Sequence, residues 1–137
     1  MNDATILCLD DEPVGLAIRA TVLRVAGYTV FTASSAEAAL HILGDQHIDI
    51  VISDYLLQGT TGTQVAASMK HIRPHIPILI LSGVTELPEG MEFADCFLTK
   101  GQPPPVLLAT VANLLAQRGA VMHDAAATNH EANRREG

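Results

Sequence analysis

Acidic, basic and hydroxyl side chains follow the apolar runs of this 137-residue sequence. Side chains of these types could form one reactive site if the fold brings them together. Four groups stand directly after such runs: Asp10-Asp11-Glu12 after the first, Asp54 after the third, Ser82-Gly83 after the fourth and Lys100 after the fifth. Three carboxylates at one point repel one another, which raises the pKa of at least one unless a cation intervenes. Mg²⁺ suits such a group, because it takes oxygen ligands and keeps several waters.

Lys100 and Ser82 add two further elements of a site for phosphate chemistry. The lysine supplies a positive point charge, and the serine supplies a hydroxyl donor beside it. A cation, a lysine and a hydroxyl around one carboxylate form a receptor for a phosphoryl group transferred to that carboxylate. Carboxylates act as nucleophiles of this kind, and phosphoryl transfer depends mostly on positioning and charge neutralisation.

Each of these residues also has an ordinary structural interpretation. An Asp after a strand is usually a helix cap or a turn residue, as Asp10 or Asp11 taken singly would be. Ser82-Gly83 alone is a common turn, and Lys100 alone is most often a solvated surface charge. All four groups fall at the carboxyl ends of apolar runs and none at the amino ends, and this shared position favours the functional interpretation.

The elements that must position these residues are five short strands alternating with helices. The strand candidates are Thr5–Leu9, Tyr28–Thr32, Ile48–Ser53, Ile76–Leu81 and Asp95–Thr99, and the helix candidates are Val14–Ala26, Ala36–Gln46, Gly62–Ile72 and Pro104–Gln117. Nearly continuous Ile, Val and Leu are typical of strands covered on both faces. We therefore expect an α/β fold, a doubly wound five-stranded parallel sheet of flavodoxin-like order 2-1-3-4-5 with the site at its carboxyl edge.

Residues 4–118 are expected to form this one domain, and residues 119–137 a flexible C-terminal tail. The length suits a single domain of ordinary size, which needs no disulfide or metal to stabilise it. Few apolar side chains occur after residue 118, and Pro103–Pro105 can begin the last helix but cannot lie inside it. No internal repeat is visible.

Over roughly residues 4–118 the sequence resembles the receiver domain of two-component response regulators, of the chemotaxis-regulator type. The matching segments are ILCLDDEP, AGYTVFTASSAEAAL, DIVISDYLLQGTTG, IPILILSG and FLTK. The first and third are the more specific, because the acidic pair, the acceptor Asp54 and the glycine eight residues later, Gly62, all fall in register.

The resemblance implies a role for each site residue. Asp54 would be the phosphoacceptor, and the donor a phosphohistidine on a sensor histidine kinase or a histidine phosphotransfer protein. Asp11 and Asp54, with the backbone carbonyl of Leu56, would bind Mg²⁺, with Mn²⁺ as an alternative, and Asp10 would act through a metal-bound water. Ser82 and Lys100 would hold phosphoryl oxygens, and Phe97 matches the aromatic residue that turns inward on activation. An aromatic in an edge strand is also commonly part of the packing.

Three departures from the family pattern stand out. Gly101 follows Lys100 where the family usually has proline, so a cis bond is not expected there. Gln58 stands where the family commonly has proline, and we expect little effect from it. Only fourteen residues separate Ser82 from Phe97, and Pro88 and Gly90 interrupt any helix among them. The fourth helix should therefore be short or irregular. In the family this region is part of the surface that reports phosphorylation to partners, so we expect an ordinary phosphorylation site with an unusual partner-binding surface.

The first helix has two apolar stripes, of which only one can face the sheet. Val14, Ile18, Val22 and Val25 form one, and Leu16, Ala20 and Leu23 form the other, nearly opposite. The spare stripe lies beside the site edge, where it could bind a four-helix phosphodonor. Scattered exposed apolar residues on a partly covered helix are an equally good interpretation.

Composition narrows the class of protein further. Eight basic and fifteen acidic residues give a net charge of −7, which argues against a surface built to neutralise nucleic-acid phosphates. No apolar run is long enough to cross a membrane, and the first residues do not resemble a secretion signal, so we expect a cytoplasmic location. The partners expected are the phosphodonor and a downstream protein effector, with no direct DNA binding by this chain. The oligomeric state stays open, with a homodimer as one option.

The primary hypothesis is thus a phosphoacceptor signalling domain whose only reactions are its own phosphotransfer and dephosphorylation. Two alternatives stay open: a degenerate receiver that binds partners independently of phosphorylation, and a small Mg²⁺-dependent phosphohydrolase with an aspartyl nucleophile. Such hydrolases place the nucleophile in a DxD pattern after the first strand, whereas here Asp10 and Asp11 are adjacent. A nucleotide- or flavin-binding module would need a Gly-rich phosphate cradle, and the acidic first loop would repel phosphate.

Overall fold

A five-stranded parallel sheet forms the centre of the molecule. The computed structural model describes residues 3–83 and 88–130, with side chains to residue 118. The strands are β1 (Thr5–Leu9), β2 (Thr29–Ala33), β3 (Ile50–Asp54), β4 (Ile78–Ser82) and β5 (Cys96–Thr99), in the order β2-β1-β3-β4-β5. This is the predicted 2-1-3-4-5 arrangement, with each strand within about two residues of its expected bounds.

Four helices cover the sheet: α1 (Pro13–Val25), α2 (Ala36–Asp45), α3 (Gly62–Ile72) and α4 (Pro104–His130). The local sequence accounts for how several of them begin. Pro13 opens α1, and the Ser35 hydroxyl accepts the backbone N–H of Ala38 at 3.1 Å, which caps α2. Thr61 and Gln64 form a reciprocal capping box at the start of α3, which follows a hairpin of Leu56–Leu57 and Thr60–Thr61.

The core has two halves because successive strand residues point to opposite faces of the sheet. Ile6 and Cys8 of β1 pack beneath α1 and α4, and Leu7 and Leu9 pack on the other face beneath α2 and α3. Burial on both faces explains why β1, β3 and β4 are almost entirely apolar.

Helix α1 buries the Leu16, Ala20 and Leu23 stripe and leaves the other stripe outside. Val14 is 63% exposed and Ile18 is 61% exposed. The spare apolar surface expected on this helix is therefore present, and it begins beside the carboxyl edge of the sheet.

The helix expected between the fourth and fifth strands is reduced, in the described residues, to one 3₁₀ turn at Met91–Phe93. We call residues 88–94 the strap. The backbone N–H of Glu89 donates to Tyr55 Oη at 2.9 Å, and the Thr63 hydroxyl donates to the Glu89 carbonyl. Gly90 has a φ of +77°, which favours glycine. In the described residues 88–95 the short or irregular element predicted here is confirmed, and residues 84–87 lie outside the described part of the chain.

Helix α4 runs past its expected end at Gln117, and its backbone stays helical to His130. The predicted helix end at Gln117 was therefore wrong for the stretch up to His130, whereas a flexible tail over residues 119–137 is a separate prediction. Alanine is the best helix former, and the repeated alanines of this stretch continue the helix despite Gly119. The flexibility of the segment stays a prediction, and residues 131–137 lie outside the described part of the chain.

Among the residues that the structure describes, no helix combines the length and the apolar character that a membrane crossing requires.

Candidate functional site

Asp10 lies at the carboxyl end of β1 and is almost completely buried, with 1% of its surface exposed. Its backbone N–H donates to the Ala33 carbonyl at 3.2 Å, which continues the β1–β2 pairing by one residue. One carboxylate oxygen, Oδ1, accepts the N–H of Glu12 at 3.0 Å. A buried carboxylate needs such partners because its desolvation is costly.

Asp54 is the last residue of β3, and it lies beside β1 at the same edge of the sheet. One oxygen each from Asp10, Asp11 and Asp54 lie within 4.8 Å of one another. The convergence predicted from the strand ends is therefore present for all three carboxylates.

Lys100 contacts Asp54 directly. Its Nζ lies 2.8 Å from Asp54 Oδ1, and no other donor of the described residues reaches that oxygen. Burial of Asp54, aided by the charge of Asp10, raises the pKa of its carboxyl despite the hydrogen bond from Lys100. Burial lowers the pKa of Lys100, but its ion pair with Asp54 outweighs that effect and raises the pKa overall. Asp54 is thus an energetically costly anion held beside a firmly protonated lysine.

Asp11 is exposed and is held by the loop that follows the acceptor. Its Oδ2 accepts the backbone N–H of Gln58 at 2.6 Å. A proline at position 58 would have no N–H to donate. This departure from the family pattern therefore supplies a hydrogen bond to a candidate metal ligand, while the small effect expected of it stays a prediction.

Ser82 ends β4 and is 9% exposed. Its carbonyl accepts the N–H of Lys100 at 2.8 Å, so the backbone places the serine beside the lysine. Phe97 of β5 is partly buried and packs against the core beneath α2 and α3. Leu56, two residues after Asp54, is 51% exposed, and its carbonyl stays a predicted ligand.

Gly101 adopts a φ of +88°, in the left-handed region that glycine tolerates and proline cannot adopt. No cis peptide bond occurs in the described residues, as expected for this sequence. The backbone freedom of glycine lets the chain leave β5 directly after Lys100.

Arg19 also contacts the acidic triad, although the pattern of strand ends does not point to it. Its Nη1 lies 3.2 Å from Asp10 Oδ2, and its side chain is only 12% exposed. The spacing of Leu16, Arg19 and Leu23 places all three on one face of α1. A charged residue is unusual on such a face, and this could have indicated a buried partner for Arg19.

The residues present fit a hard divalent cation. Three carboxylates converge on one point, oxygen is the ligand atom that Mg²⁺ prefers, and a cation offsets the mutual repulsion that their proximity creates. Asp10, Asp11 and Asp54 are the side chains that would hold it.

A parallel α/β sheet with an acidic triad and a lysine at its carboxyl edge defines a class of phosphoacceptor signalling domains. The chain belongs to the response regulator receiver domain family, whose model matches residues 6–112.

Relatives and solved structures agree with this assignment. The transcriptional regulatory protein GlrR of Escherichia coli is 30% identical over 118 residues, 83% of this chain and 27% of GlrR. The chain therefore spans about a quarter of the length of that relative. A receiver domain protein from Clostridium thermocellum has a TM-score of 0.80 and 29% identity, covering 86% of this chain and 98% of the other. The response regulator TrrA from Thermotoga maritima, solved in complex with Mg²⁺-BeF, has a TM-score of 0.74 and 27% identity, covering 81% and 98%.

Proposed function

We propose that Asp54 accepts a phosphoryl group in a Mg²⁺-dependent reaction, and that the donor is a phosphohistidine of a sensor histidine kinase or a histidine phosphotransfer protein. The observation that supports this most directly is the contact between Asp54 Oδ1 and Lys100 Nζ at 2.8 Å, inside an acidic triad. A buried carboxylate with a fixed cation on one side is prepared to carry additional negative charge.

In the proposed reaction, a carboxylate oxygen of Asp54 attacks the phosphorus atom. The new O–P bond forms while the N–P bond to the donor imidazole breaks, and the imidazole nitrogen keeps the bonding electron pair. Lys100 stabilises the charge on a phosphoryl oxygen, and the hydroxyl of Ser82 donates a hydrogen bond to another. Asp11 and Asp54, with the backbone carbonyl of Leu56, would hold the metal ion, and Asp10 would act through a metal-bound water; the ion would neutralise phosphoryl charge. Mn²⁺ has the same preference for oxygen ligands and is the alternative ion.

The proposal is tested by the intact mass of the protein after incubation with acetyl phosphate. We expect one phosphoryl adduct in Mg²⁺ and none in excess EDTA, because the carboxylates repel the donor when no cation is bound. Mn²⁺ in place of Mg²⁺ should restore the adduct. Failure to form an adduct, together with no measurable Mg²⁺ binding, would favour a phosphorylation-independent interaction module.

The proposed output is a protein contact and not a catalytic turnover. Ser82 moving toward the phosphoryl group would leave space for Phe97 to turn inward, which changes the surface around β5. The strap lies beside that surface and exposes Met91 by 55% and Phe93 by 37%. We infer a downstream protein effector, and the net charge of −7 argues against direct DNA binding by this chain. A cytoplasmic location fits this signalling role.

The part of the exposed α1 stripe that is nearest Asp10, at Val14 and Ile18, is the proposed docking site for the phosphodonor. Ile18→Asp is expected to slow transfer from a phosphorylated four-helix histidine phosphotransfer protein by roughly tenfold or more, because a charge replaces an apolar contact at the interface. Labelling by acetyl phosphate should stay unchanged, since that donor needs no protein surface. The measurement is the initial rate of phosphotransfer with each donor.

Val25→Asp provides the matched control on the same helix. Val25 is 82% exposed but stands at the other end of α1, away from Asp10. Equal losses in both variants would show that α1 does not dock the donor in the proposed orientation.

A further inference from the structure

Arg19 is a largely covered cation beside the candidate metal site, with 12% of its side chain exposed, and its position is unusual for a charged residue. It stands on the sheet-facing side of α1, in the row formed by Leu16 and Leu23, which are both buried. A charged side chain in such a place is destabilising unless a partner compensates for lost hydration. Its partner is Asp10, at 3.2 Å from Nη1 to Oδ2, and this carboxylate is itself almost fully buried.

The two oxygens of Asp10 are both engaged by the chain itself. Oδ2 contacts Arg19, and Oδ1 accepts the N–H of Glu12 at 3.0 Å. Asp54 is paired with Lys100 in the same way. Two of the three negative charges of the triad are therefore balanced by side chains before any metal ion binds.

We propose that Arg19 is a built-in counter-ion for Asp10 that competes with the divalent cation and so weakens its binding. Arg19 is a positioning residue, acting on the metal site through Asp10. The inference rests on the proposed Mg²⁺ site, and it extends that proposal to how the affinity of the site is set. A fixed positive charge next to Asp10 repels an incoming cation, and Arg19 also occupies a carboxylate oxygen that could otherwise accept the ion or its bound water.

The test is calorimetric titration of Mg²⁺ into the metal-free protein and three variants. We expect Arg19→Gln to bind Mg²⁺ roughly tenfold more tightly than wild type, because the uncharged amide no longer repels the incoming cation. Arg19→Lys keeps the charge and should stay close to the wild-type affinity. Arg24→Gln is the matched control, since Arg24 lies on the same helix and donates to the Val30 carbonyl outside the site.

A second readout is measured on the wild-type protein and does not depend on the Mg²⁺ affinity of any variant. In a ¹⁵N-labelled sample the Nε–H resonance of Arg19, assigned by its loss in Arg19→Lys, should shift as Mg²⁺ is added. The Arg24 resonance should not move.

The outcomes separate this inference from the proposed function. If wild type binds Mg²⁺ but Arg19→Gln binds it equally or more weakly, or the Arg19 resonance stays still, the counter-ion role is overturned and the metal site stands. If wild type shows no Mg²⁺ binding under any condition, both proposals are overturned.

Discussion

Asp54→Asn is expected to abolish the phosphoryl adduct completely. The amide oxygen of asparagine is neutral and a poor nucleophile, so no acyl phosphate can form at this position. Asn and Asp have nearly the same shape, and the fold around the strand end should persist. Intact mass after incubation with acetyl phosphate and Mg²⁺ measures the effect, with the adduct present in wild type and absent in the variant.

Asp45→Asn is the matched control, because Asp45 is an exposed carboxylate at the end of α2. This variant should form the adduct at the wild-type level. Persistence of the adduct in Asp54→Asn would show that another residue accepts the phosphoryl group, and peptide mapping would then identify it.

Gly62→Ala is expected to destabilise the domain by about 3 kcal/mol and to impair phosphorylation at the same time. A Cβ atom at position 62 would lie 2.2 Å from the backbone oxygen of Asp54 and 3.1 Å from Ser53 Oγ. The N–H of Gly62 donates to the Tyr55 carbonyl at 2.6 Å, so α3 cannot retreat without breaking this bond. Any relief of the clash must therefore move the acceptor residue. Urea denaturation measures the stability, and adduct formation measures the site.

Gly44→Ala is the internal comparison for this substitution. Gly44 is in α2, and a Cβ there would meet nothing within 4 Å. Alanine should stabilise this helix by about 0.5–1 kcal/mol because it restricts the unfolded chain and favours helix. If Gly62→Ala were as stable as wild type, the close approach of α3 to the acceptor loop would not constrain the site.

The sequence was sufficient to predict the sheet and most of the site because both depend on simple regularities. Apolar runs of strand length alternate with helices, and parallel strands bring their carboxyl ends to one edge. Asp10, Asp54 and Lys100 could therefore be placed together without a structure. What brings them into contact is the register of β1, β3 and β5, which the apolar pattern constrains strongly.

Other features of the site depend on contacts that a linear pattern does not record. Gln58 contributes its backbone N–H to Asp11, and no side-chain pattern reports which backbone donor meets which carboxylate. The contact of Arg19 with Asp10 could not be inferred from the sequence. A single charged residue on an apolar helix face usually extends its side chain outward into solvent. Only the three-dimensional distance to Asp10 shows that this arginine points inward.

The extent of α4 was missed for a different reason. A glycine and a fall in apolar content are common signals of a helix end, and both occur near residue 119. Helix propensity accumulates over many residues, however, and the alanines that follow outweigh one unfavourable position.

The strap also affects how a structural change beside Asp54 reaches the exposed residues between the fourth and fifth strands. A full helix between the fourth and fifth strands could tilt as a rigid body, independently of the elements around it. Here Glu89 is bonded on one side to Tyr55, the neighbour of the acceptor, and on the other to Thr63 at the start of α3. Because these two hydrogen bonds join Glu89 both to the residue after Asp54 and to α3, we expect a small shift beside Asp54 to displace Met91 and Phe93 with it.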